Sequence, residues 1–373
     1  MKITYISSST IPSRTANSIH VMKMCQAFAR NGHEVVLIVP DTKHGTQSGV
    51  EDVFSFYGVN RCFEIVQLPW LKFKGRGYCY GYFAAKKAKS LKPDIVYCRN
   101  TVGCFLSARF GLPVVFESHA PLADNGRISE WMFRRLITHT KFRKLVVITS
   151  ALKEYFEIKY PQIGEKIQIA PDGADPVPES TKPVILPNKN KRFQVGYLGQ
   201  LYQGKGMEIV AKLAKNCPWA DFHIVGGVAN DILYWQGVTA GLKNITYHGY
   251  VPHAVSYSYI IAFDVLLLPN QRNIRGHSGS GDIAKWTSPL KMFEYMAAGK
   301  SILASDLSVL KEVLVHEHNA LLCPPDDASA WEKSLERLCD DNNLQKRLGR
   351  EALRDFKENY TWQTRAKNVI IVR

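Results

Sequence analysis

The sequence predicts an α/β fold made of two doubly wound parallel-sheet domains. Short β-branched runs alternate with helical stretches from the N-terminus onwards, which is the rhythm of a parallel sheet covered by helices. A proline-rich segment at 171–192 interrupts this rhythm, as an interdomain linker does, and the rhythm then restarts. The 373 residues, 46% hydrophobic and 22% charged, suffice for two cores and exclude a disordered or fibrous chain.

The first domain begins with a β-α-β unit. A strand at 3–7 is followed by a helix at 17–31, which Gly32 closes, and by a strand at 33–40. Further β-branched runs predict strands at 63–68, 95–98, 114–117, 145–149 and 167–170. We expect this domain to span residues 1–175.

The second domain repeats the architecture without repeating the sequence. Strands are predicted at 195–198, 221–225, 245–248, 265–268 and 302–304, with helices from Gly206 and over 289–298. A last helical stretch at 328–356 carries leucines on one face and breaks at Tyr360-Thr361-Trp362. The second domain is therefore expected at 176–356, with the tail 357–373 packing back on the first domain.

Composition and motifs disfavour several classes of protein. No apolar run approaches the roughly 18 residues that cross a bilayer, and no apolar leader precedes the first strand, so we expect a cytoplasmic protein. The eight cysteines form no C-x-x-C pair and no compact ligand cluster occurs, so no metal is expected. No G-x-G-x-x-G follows the first strand and no aromatic and basic motif is present, which disfavours a dinucleotide dehydrogenase and nucleic-acid binding.

The net charge of +15 is concentrated in the first half of the chain. Residues 1–170 hold 24 lysines and arginines against 12 acidic residues, and residues 70–93 hold seven basic side chains and no acidic one. A second basic group follows an apolar set at helical spacing: Ile128, Trp131 and Met132, then Arg134, Arg135, Lys141, Arg143 and Lys144. This is either an ordinary solvated face or one that approaches an anionic membrane, and the sequence leaves both open.

Ligands of open parallel sheets bind beyond the carboxyl ends of the strands, so the loops there hold the candidate sites. After the first strand, Ser13, Arg14, Asn17 and His20 are candidates for contact with an anionic or hydroxylated ligand, although a capped helix start explains the same pattern. His119 follows the strand at 114–117 and is either a ligand for a substrate hydroxyl or a structural histidine.

In the second domain, a glycine-rich loop carries Gly199, Gln200 and Lys205 after the strand at 195–198. The strongest candidate is the segment 286–299, where Ser288 can cap a helix whose first position is Pro289. The free N–H groups of a helix start, together with Lys291, suit a diphosphate. Glu294, roughly 9 Å farther along the helix axis, suits the hydroxyl pair of a ribose.

At this segment the sequence resembles the retaining glycosyltransferases of family 4, whose glycosyltransferase-B fold has two Rossmann-like domains facing a central cleft. The resemblance covers nearly the whole chain and rests on motifs in a fixed order: Gly32-His33-Glu34-Val35, Glu117-Ser118-His119-Ala120-Pro121, Val147-Ile148-Thr149-Ser150, Ala170-Pro171-Asp172-Gly173-Ala174-Asp175, Tyr197-Leu198-Gly199, Lys205-Gly206, His248-Gly249-Tyr250-Val251, the run 293–299 and Tyr360-Thr361-Trp362. It implies transfer of a sugar from a nucleotide sugar, a UDP-sugar being favoured and GDP-mannose the alternative. The acceptor implied is a glycan or a lipid-linked glycan, and no metal or other cofactor is implied.

The resemblance also implies roles for single residues. Lys205 would stabilise the donor diphosphate, Glu294 would hold the ribose, and His119 would contact the transferred sugar near its reacting carbon. The backbone around Tyr250 and Val251 would read the base. The remaining members of the expected donor site are Gly199, Gln200, Ser288, Leu290 and Lys291.

Two positions depart from the family pattern. The acid expected eight residues before Glu294 is Trp286, and Asp282 is a candidate substitute. The arginine expected after the Tyr-x-Gly strand is Gln200, and Lys291, Arg272 or Arg275 could replace it. We favour relocation of these groups over loss of activity. A nucleotide-sugar epimerase of the same fold and a degenerate binding subunit without turnover are the alternatives.

Overall fold

A computed structural model describes residues 1–42, 46–122, 126–187, 192–273 and 284–371. It divides into two compact units: Met1–Asp172 with Trp362–Arg373, and Gly173–Thr361. The second junction lies later than the predicted residue 356, because the helix before it continues to Asn359. Across the described ranges, no helix is both long and apolar enough to span a bilayer.

The first unit is a parallel sheet with helices. Its strands are β1 (Lys2–Ile6), β2 (Glu34–Asp41), β3 (Glu64–Pro69), β4 (Ile95–Cys98), β5 (Val114–Ser118), β6 (Phe142–Val147) and β7 (Ile167–Ile169). Its helices are α1 (Ala16–Arg30), α2 (Val53–Tyr57), α3 (Arg76–Leu91), α4 (Thr101–Arg109), α5 (Gly126–Ile137), α6 (Ser150–Lys159) and the C-terminal α13 (Trp362–Ile370). Within the described residues the sheet has seven strands in the order β3-β2-β1-β4-β5-β6-β7.

The second unit has the same plan. Its strands are β8 (Phe193–Leu198), β9 (Ala220–Val225), β10 (Ile245–Gly249), β11 (Val265–Leu268), β12 (Ser301–Ser305) and β13 (Leu321–Cys323). Its helices are α7 (Met207–Asn216), α8 (Ala229–Val238), α9 (Ser256–Ile260), α10 (Leu290–Ala297), α11 (Ala328–Asp340) and α12 (Asn342–Asn359). The six strands found in the described part are all parallel and follow the order β10-β9-β8-β11-β12-β13.

In each sheet the strand order reverses beside the first strand of the unit. The chain moves outward from β1 to β3 and then returns to pair β4 with β1; in the same way β11 returns to β8. Such a reversal opens a crevice at the carboxyl ends of the two central strands, where ligands of doubly wound sheets bind. The predicted class of two doubly wound α/β domains is confirmed.

Two local predictions are corrected by the structure. The stretch predicted as one helix at 328–356 is α11 and α12, separated at Asp341, whose carboxylate caps α12 by accepting from the Leu344 N–H at 2.9 Å. Pro289 takes the N-cap position that Ser288 was expected to take. The proline ring fixes φ but leaves ψ free, and a ψ of 121° keeps Pro289 outside the helix.

Gly206 allows the loop after β8 to pass the end of β11. Its φ is +85°, and a Cβ at this position would lie 1.8 Å from the carbonyl oxygen of Pro269. Gly206→Ala should therefore lower the free energy of unfolding by more than about 1 kcal/mol in chemical denaturation. Gly237 on α8 has no atom within 4 Å of its Cβ position, so Gly237→Ala is the control and should be neutral or stabilising. Equal stability of the two variants would contradict the close approach.

Candidate functional site

A cluster of charged side chains is buried at the carboxyl end of β5 in the first unit. Glu117 is 1% exposed, and its Oε1 accepts hydrogen bonds from Arg365 Nη2 at 2.8 Å and from His119 Nε2 at 2.5 Å. Tyr97 donates its hydroxyl proton to the other oxygen, Oε2. A buried carboxylate is tolerated only when it is paired in this way. Glu117 is thus the centre of the cluster.

His20 lies between two carboxylates. Its Nδ1 is 2.8 Å from Asp172 Oδ1, and its Nε2 is 3.0 Å from Glu117 Oε1. Its ring packs edge-on against His119 and Trp362, with centroids 4.7 and 5.2 Å away. With 1% exposure His20 supports the cluster from inside. His20 was a candidate for contact with a ligand; the structure places it on α1, with its side chain directed into the core.

Glu117 is ionised despite its burial. Burial by itself would raise the pKa of Glu117, but the Arg365 guanidinium and His20 hold it well below the usual range. Desolvation, with a smaller contribution from the Arg99 charge, lowers the pKa of His119 to about 4. His119 is therefore neutral at pH 7. Its side chain is 21% exposed, and none of the described residues forms a hydrogen bond with its Nδ1.

The other candidates in the loop after β1 fall into two groups. Ser13 is 5% exposed, and its N–H donates to the Tyr57 hydroxyl oxygen at 2.6 Å. Ser13 therefore supports the loop, whereas the sequence made it a candidate for contact with a ligand. Arg14 and Asn17 are exposed, and Asn17 Nδ2 donates to Ser9 Oγ at 2.8 Å. In this loop, Arg14 and Asn17 are the accessible candidates.

Three side chains of the cluster have the composition of a metal site. His20, Glu117 and His119 each offer one ligand atom, and these atoms lie within 4.8 Å of one another. However, Arg365 already bonds Glu117 Oε1, so a metal ion there would sit beside a buried guanidinium. Two neighbouring cations in a buried site are costly. The contacts favour a hydrogen-bonded network over a metal centre.

In the second unit, Lys291 directs its amine towards the carboxyl end of β8. Lys291 lies in the first turn of α10, and its Nζ is 3.8 Å from the centroid of the Tyr197 ring. A Cβ built on Gly199 would lie 3.3 Å from this Nζ. The Nζ is buried and has no hydrogen-bond partner in the part of the chain that the structure describes. The Tyr197 ring face offsets part of the cost of desolvating this cation.

Lys205 brings a second amine to the same end of the sheet. It lies between Gly204 and Gly206 in the loop after β8, with Nζ 5.1 Å from the centroid of the Tyr202 ring. Desolvation lowers the pKa of Lys205 to about 8. Desolvation, and then the charge of Lys205, hold the pKa of Lys291 well below its usual range. Two cations that repel each other and are poorly solvated form a site that an anion would complete.

Glu294 follows Lys291 by one turn of α10. It is 9% exposed, and its Oε1 is 2.7 Å from His253 Nε2, within hydrogen-bond distance. The neighbouring Tyr295 accepts a hydrogen bond from the Leu198 N–H at 2.9 Å, which fixes α10 against β8. The other expected donor-site residues are half-buried beyond strand ends or at the start of α10: Gln200, Tyr250, Val251, Ser288 and Leu290.

The candidate substitutes for the missing family side chains differ in their positions. Arg272 is 64% exposed at its side chain, and its Nη2 lies 3.9 Å from Asp326 in a surface ion pair. Asp282 and Arg275 lie outside the described residues. Of the described substitutes for the arginine missing at Gln200, Lys291 is the one whose amine lies beside Gly199.

Sequence reasoning did not find Arg365, Asp172, His253 and Asn270 as site residues. Asn270 follows β11 by two residues, is 0% exposed, and within the ranges given above neither of its amide atoms has a hydrogen-bond partner. Its position beyond a central strand was the available signal. Asp172 had a similar signal, since it follows β7 and stands in the motif 170–175. Arg365 had none, because its partners are remote in the sequence.

The two units match families of known proteins. Residues 18–177 match the family described as Glycosyltransferase Family 4, and residues 192–341 match Glycosyl transferases group 1. The chain belongs to the family 4 glycosyltransferases. This confirms the resemblance found in the motifs, and it makes the protein a glycosyltransferase of the glycosyltransferase-B type.

Individual relatives are distant in sequence and close in fold. Two uncharacterized glycosyltransferases of Methanocaldococcus jannaschii are similar to this chain. One is 25% identical over 185 residues, which cover 48% of this chain and 44% of that protein. The other is 21% identical over 390 residues, which cover 95% of this chain and 93% of that protein. Sucrose-phosphate synthase from Thermosynechococcus elongatus superposes with a TM-score of 0.69 at 17% identity, covering 98% of this chain and 96% of that one. HepE of Anabaena in complex with UDP gives 0.71 at 14%, covering 99% and 98%. The predicted glycosyltransferase-B fold is confirmed.

Lys291→Met should raise the melting temperature of the ligand-free protein, because it removes a buried, poorly compensated cation and keeps the length of the side chain. Because the pKa of Lys291 is lowered in the folded protein, its charge destabilises the fold most at low pH. This cost decreases as the pH rises towards about 10.4, the pKa of lysine in the unfolded chain. The advantage of the variant should therefore shrink at alkaline pH. Lys212→Met on the exposed face of α7 is the control. A lower melting temperature for Lys291→Met at neutral pH would contradict this reading of the site.

Proposed function

We propose that the protein is a retaining, metal-independent glycosyltransferase that moves a sugar from a nucleotide-sugar donor to a glycan or lipid-linked acceptor. A UDP-sugar is the favoured donor, with GDP-mannose as the alternative, and cell-surface polysaccharide or glycolipid synthesis is the proposed setting. The observation that carries the proposal is the pair of amines of Lys205 and Lys291 beyond β8, with the Lys291 Nζ buried and Glu294 one turn farther along α10. The binding of UDP by a protein of the same fold supports the nucleotide.

The second unit binds the donor diphosphate in this proposal. As the glycosidic bond breaks, negative charge develops on the departing diphosphate, and poorly solvated cations stabilise it more strongly than cations in water. Lys205 and Lys291 supply that charge, with Lys291 in place of the arginine missing at Gln200. Gly199 lets the backbone approach the phosphates, and the free N–H groups at the start of α10 add donors beside Ser288 and Leu290.

The nucleoside and the sugar use the remaining residues. Glu294 accepts hydrogen bonds from the ribose hydroxyls, in an orientation held by His253, and the backbone at Tyr250 and Val251 contacts the base. In the first unit His119 contacts the transferred sugar. The exposed Arg14 and Asn17 are proposed to bind the acceptor, while Asp282 remains the proposed substitute for the acid replaced by Trp286.

One alternative has a specific observation in its favour. The presence of Trp286 and Gln200 in place of two family side chains favours a subunit that binds a nucleotide sugar without turning it over. Release of free sugar from the donor separates the two functions, because a binding subunit would be stabilised by the nucleotide sugar and would release none.

A thermal-shift and hydrolysis panel of UDP-, GDP- and ADP-sugars, in buffer containing a metal chelator, tests the proposal. We expect one nucleotide class to stabilise the protein and to release its sugar slowly. Glu294→Ala should weaken that binding by about 1.5–3 kcal/mol, because a charge-assisted hydrogen bond is lost. Glu336→Ala on the exposed face of α11 is the matched control. Unchanged affinity in Glu294→Ala would remove the ribose assignment, and no stabilisation by any of these sugars would remove the donor assignment altogether.

We also propose that the first unit binds the surface of an anionic membrane. Leu71, Phe73, Tyr82 and Phe83 are 39–49% exposed among the seven basic residues of 70–93. On α5, Ile128 and Trp131 are 55% and 52% exposed and lie among Arg127, Arg134 and Arg135. Helix α4 packs against both α3, which carries Tyr82 and Phe83, and α5, so these two helices belong to one layer. Leu71 and Phe73 lie in the segment just before α3. Exposed apolar side chains among lysines and arginines suit the headgroup region of anionic lipids.

Flotation with liposomes containing phosphatidylglycerol should show binding that weakens as the salt concentration rises, because exposed charges are screened. Replacing Phe73 and Phe83 together by serine should reduce the bound fraction at every salt concentration, since the inserted apolar area is lost. Ile185→Ser in the second unit, where Ile185 is 81% exposed, should have no effect. Absence of binding at low salt, or an equal loss of the bound fraction in Ile185→Ser, would contradict the proposal that the first unit binds membranes.

A further inference from the structure

Arg365 lies on the C-terminal helix α13, yet its side chain ends inside the buried cluster of the first unit. It is 4% exposed. Its Nε donates to the Pro171 carbonyl at 2.8 Å, and its Nη2 donates to the Ala170 carbonyl at 3.1 Å and to Glu117 Oε1 at 2.8 Å. Its Nη1 is 3.3 Å from Met24 Sδ. The guanidinium therefore ties the end of β7 to the end of β5.

The contacts of Glu117 determine which nitrogen of His119 carries a proton. An ionised carboxylate only accepts hydrogen bonds. Since Glu117 Oε1 is 2.5 Å from His119 Nε2, that nitrogen is the protonated one in the neutral ring. His119 Nδ1 is then an acceptor, and no hydrogen bond to it is formed by any residue in the described ranges.

We propose that Arg365 is a positioning residue that fixes the tautomer of His119. By bonding Glu117 it keeps this carboxylate an acceptor for His119 Nε2, and it thereby leaves His119 Nδ1 ready to accept a hydrogen bond from a hydroxyl group of the transferred sugar. The contact with the sugar rests on the proposed function. The link from Arg365 to the tautomer concerns the ligand-free protein alone.

Removing the guanidinium would reverse the direction of the hydrogen bond between Glu117 and His119. Burial raises the pKa of Glu117, and the Arg365 charge is the first influence that opposes it. The other groups that act on this pair come from several elements: His20 on α1, Tyr97 and Arg99 at the end of β4, and Asp172 after β7. A protonated Glu117 would donate to His119 Nε2, and the proton of the ring would move to Nδ1.

The test is the ¹⁵N spectrum of the histidine side chains in the ligand-free protein, with the His119 signals identified from a His119→Asn variant. We expect the Nε2–H tautomer in the wild type and in Arg365→Lys, which keeps the charge. In Arg365→Met we expect the Nδ1–H form at neutral pH, returning to Nε2–H as the pH rises. Lys367→Met, exposed on the same helix, should match the wild type.

The rate of sugar release gives a second readout once the donor is known. In Arg365→Met, kcat should fall on the order of tenfold at neutral pH, the worth of one charge-assisted hydrogen bond, and recover in part at alkaline pH. A loss equal at all pH values would indicate a merely structural role and overturn the proposal. An Nδ1–H tautomer in the wild type would overturn it too, even if Arg365→Met does not fold. A confirmed tautomer switch without any activity would leave the proposal standing for the protein and would count against the proposed function only.

Discussion

The chemistry of the second unit rests on two amines at the carboxyl end of β8, those of Lys205 and Lys291, which form no ion pair within the described residues. The Lys291 Nζ is also buried. Desolvation lowers the pKa of both amines, and the charge of Lys205 lowers that of Lys291 further. The Tyr197 ring is the partner that the structure shows for the Lys291 Nζ. Folding alone does not favour such an arrangement, because a buried cation without hydrogen bonds is costly. The glycines of the surrounding loops and the anchoring of α10 by Tyr295 preserve it. The buried cation lowers the stability of the ligand-free protein, and binding of an anion there is expected to raise it.

In the first unit, by contrast, the buried charged groups have partners within the protein. Glu117 and Asp172 are matched by Arg365 and by His20, so the cluster is closed in the absence of any ligand. His119 is the member with an exposed portion and an uncommitted nitrogen among its described contacts. One unit thus carries a preformed, hydrogen-bonded frame for an imidazole. The other carries an uncompensated positive site for a diphosphate, and both are placed beyond the carboxyl ends of central strands.

Periodicity and composition were sufficient for the fold class and for most elements. The alternation of apolar runs with helices identified both sheets, because strands buried on two faces read as continuous apolar stretches. The start of α10 was placed one residue early, since the sequence shows the fixed φ of Pro289 and not its ψ. Lys291 was found because it lies within a local motif. Arg365 was not, because its contact with Glu117 joins residues 248 positions apart and only the fold brings them together.

The central claim is that an anion completes the lysine pair, and proton uptake on binding tests it most directly. Calorimetric titration of UDP, repeated in buffers of different ionisation enthalpy at about pH 9, measures the protons that the complex takes up. Lys205, whose pKa is about 8 in the free protein, and Lys291 are then partly uncharged, and a bound diphosphate would restore their protons. The account predicts net proton uptake at this pH that is reduced in Lys291→Met. UDP binding without proton uptake would contradict it.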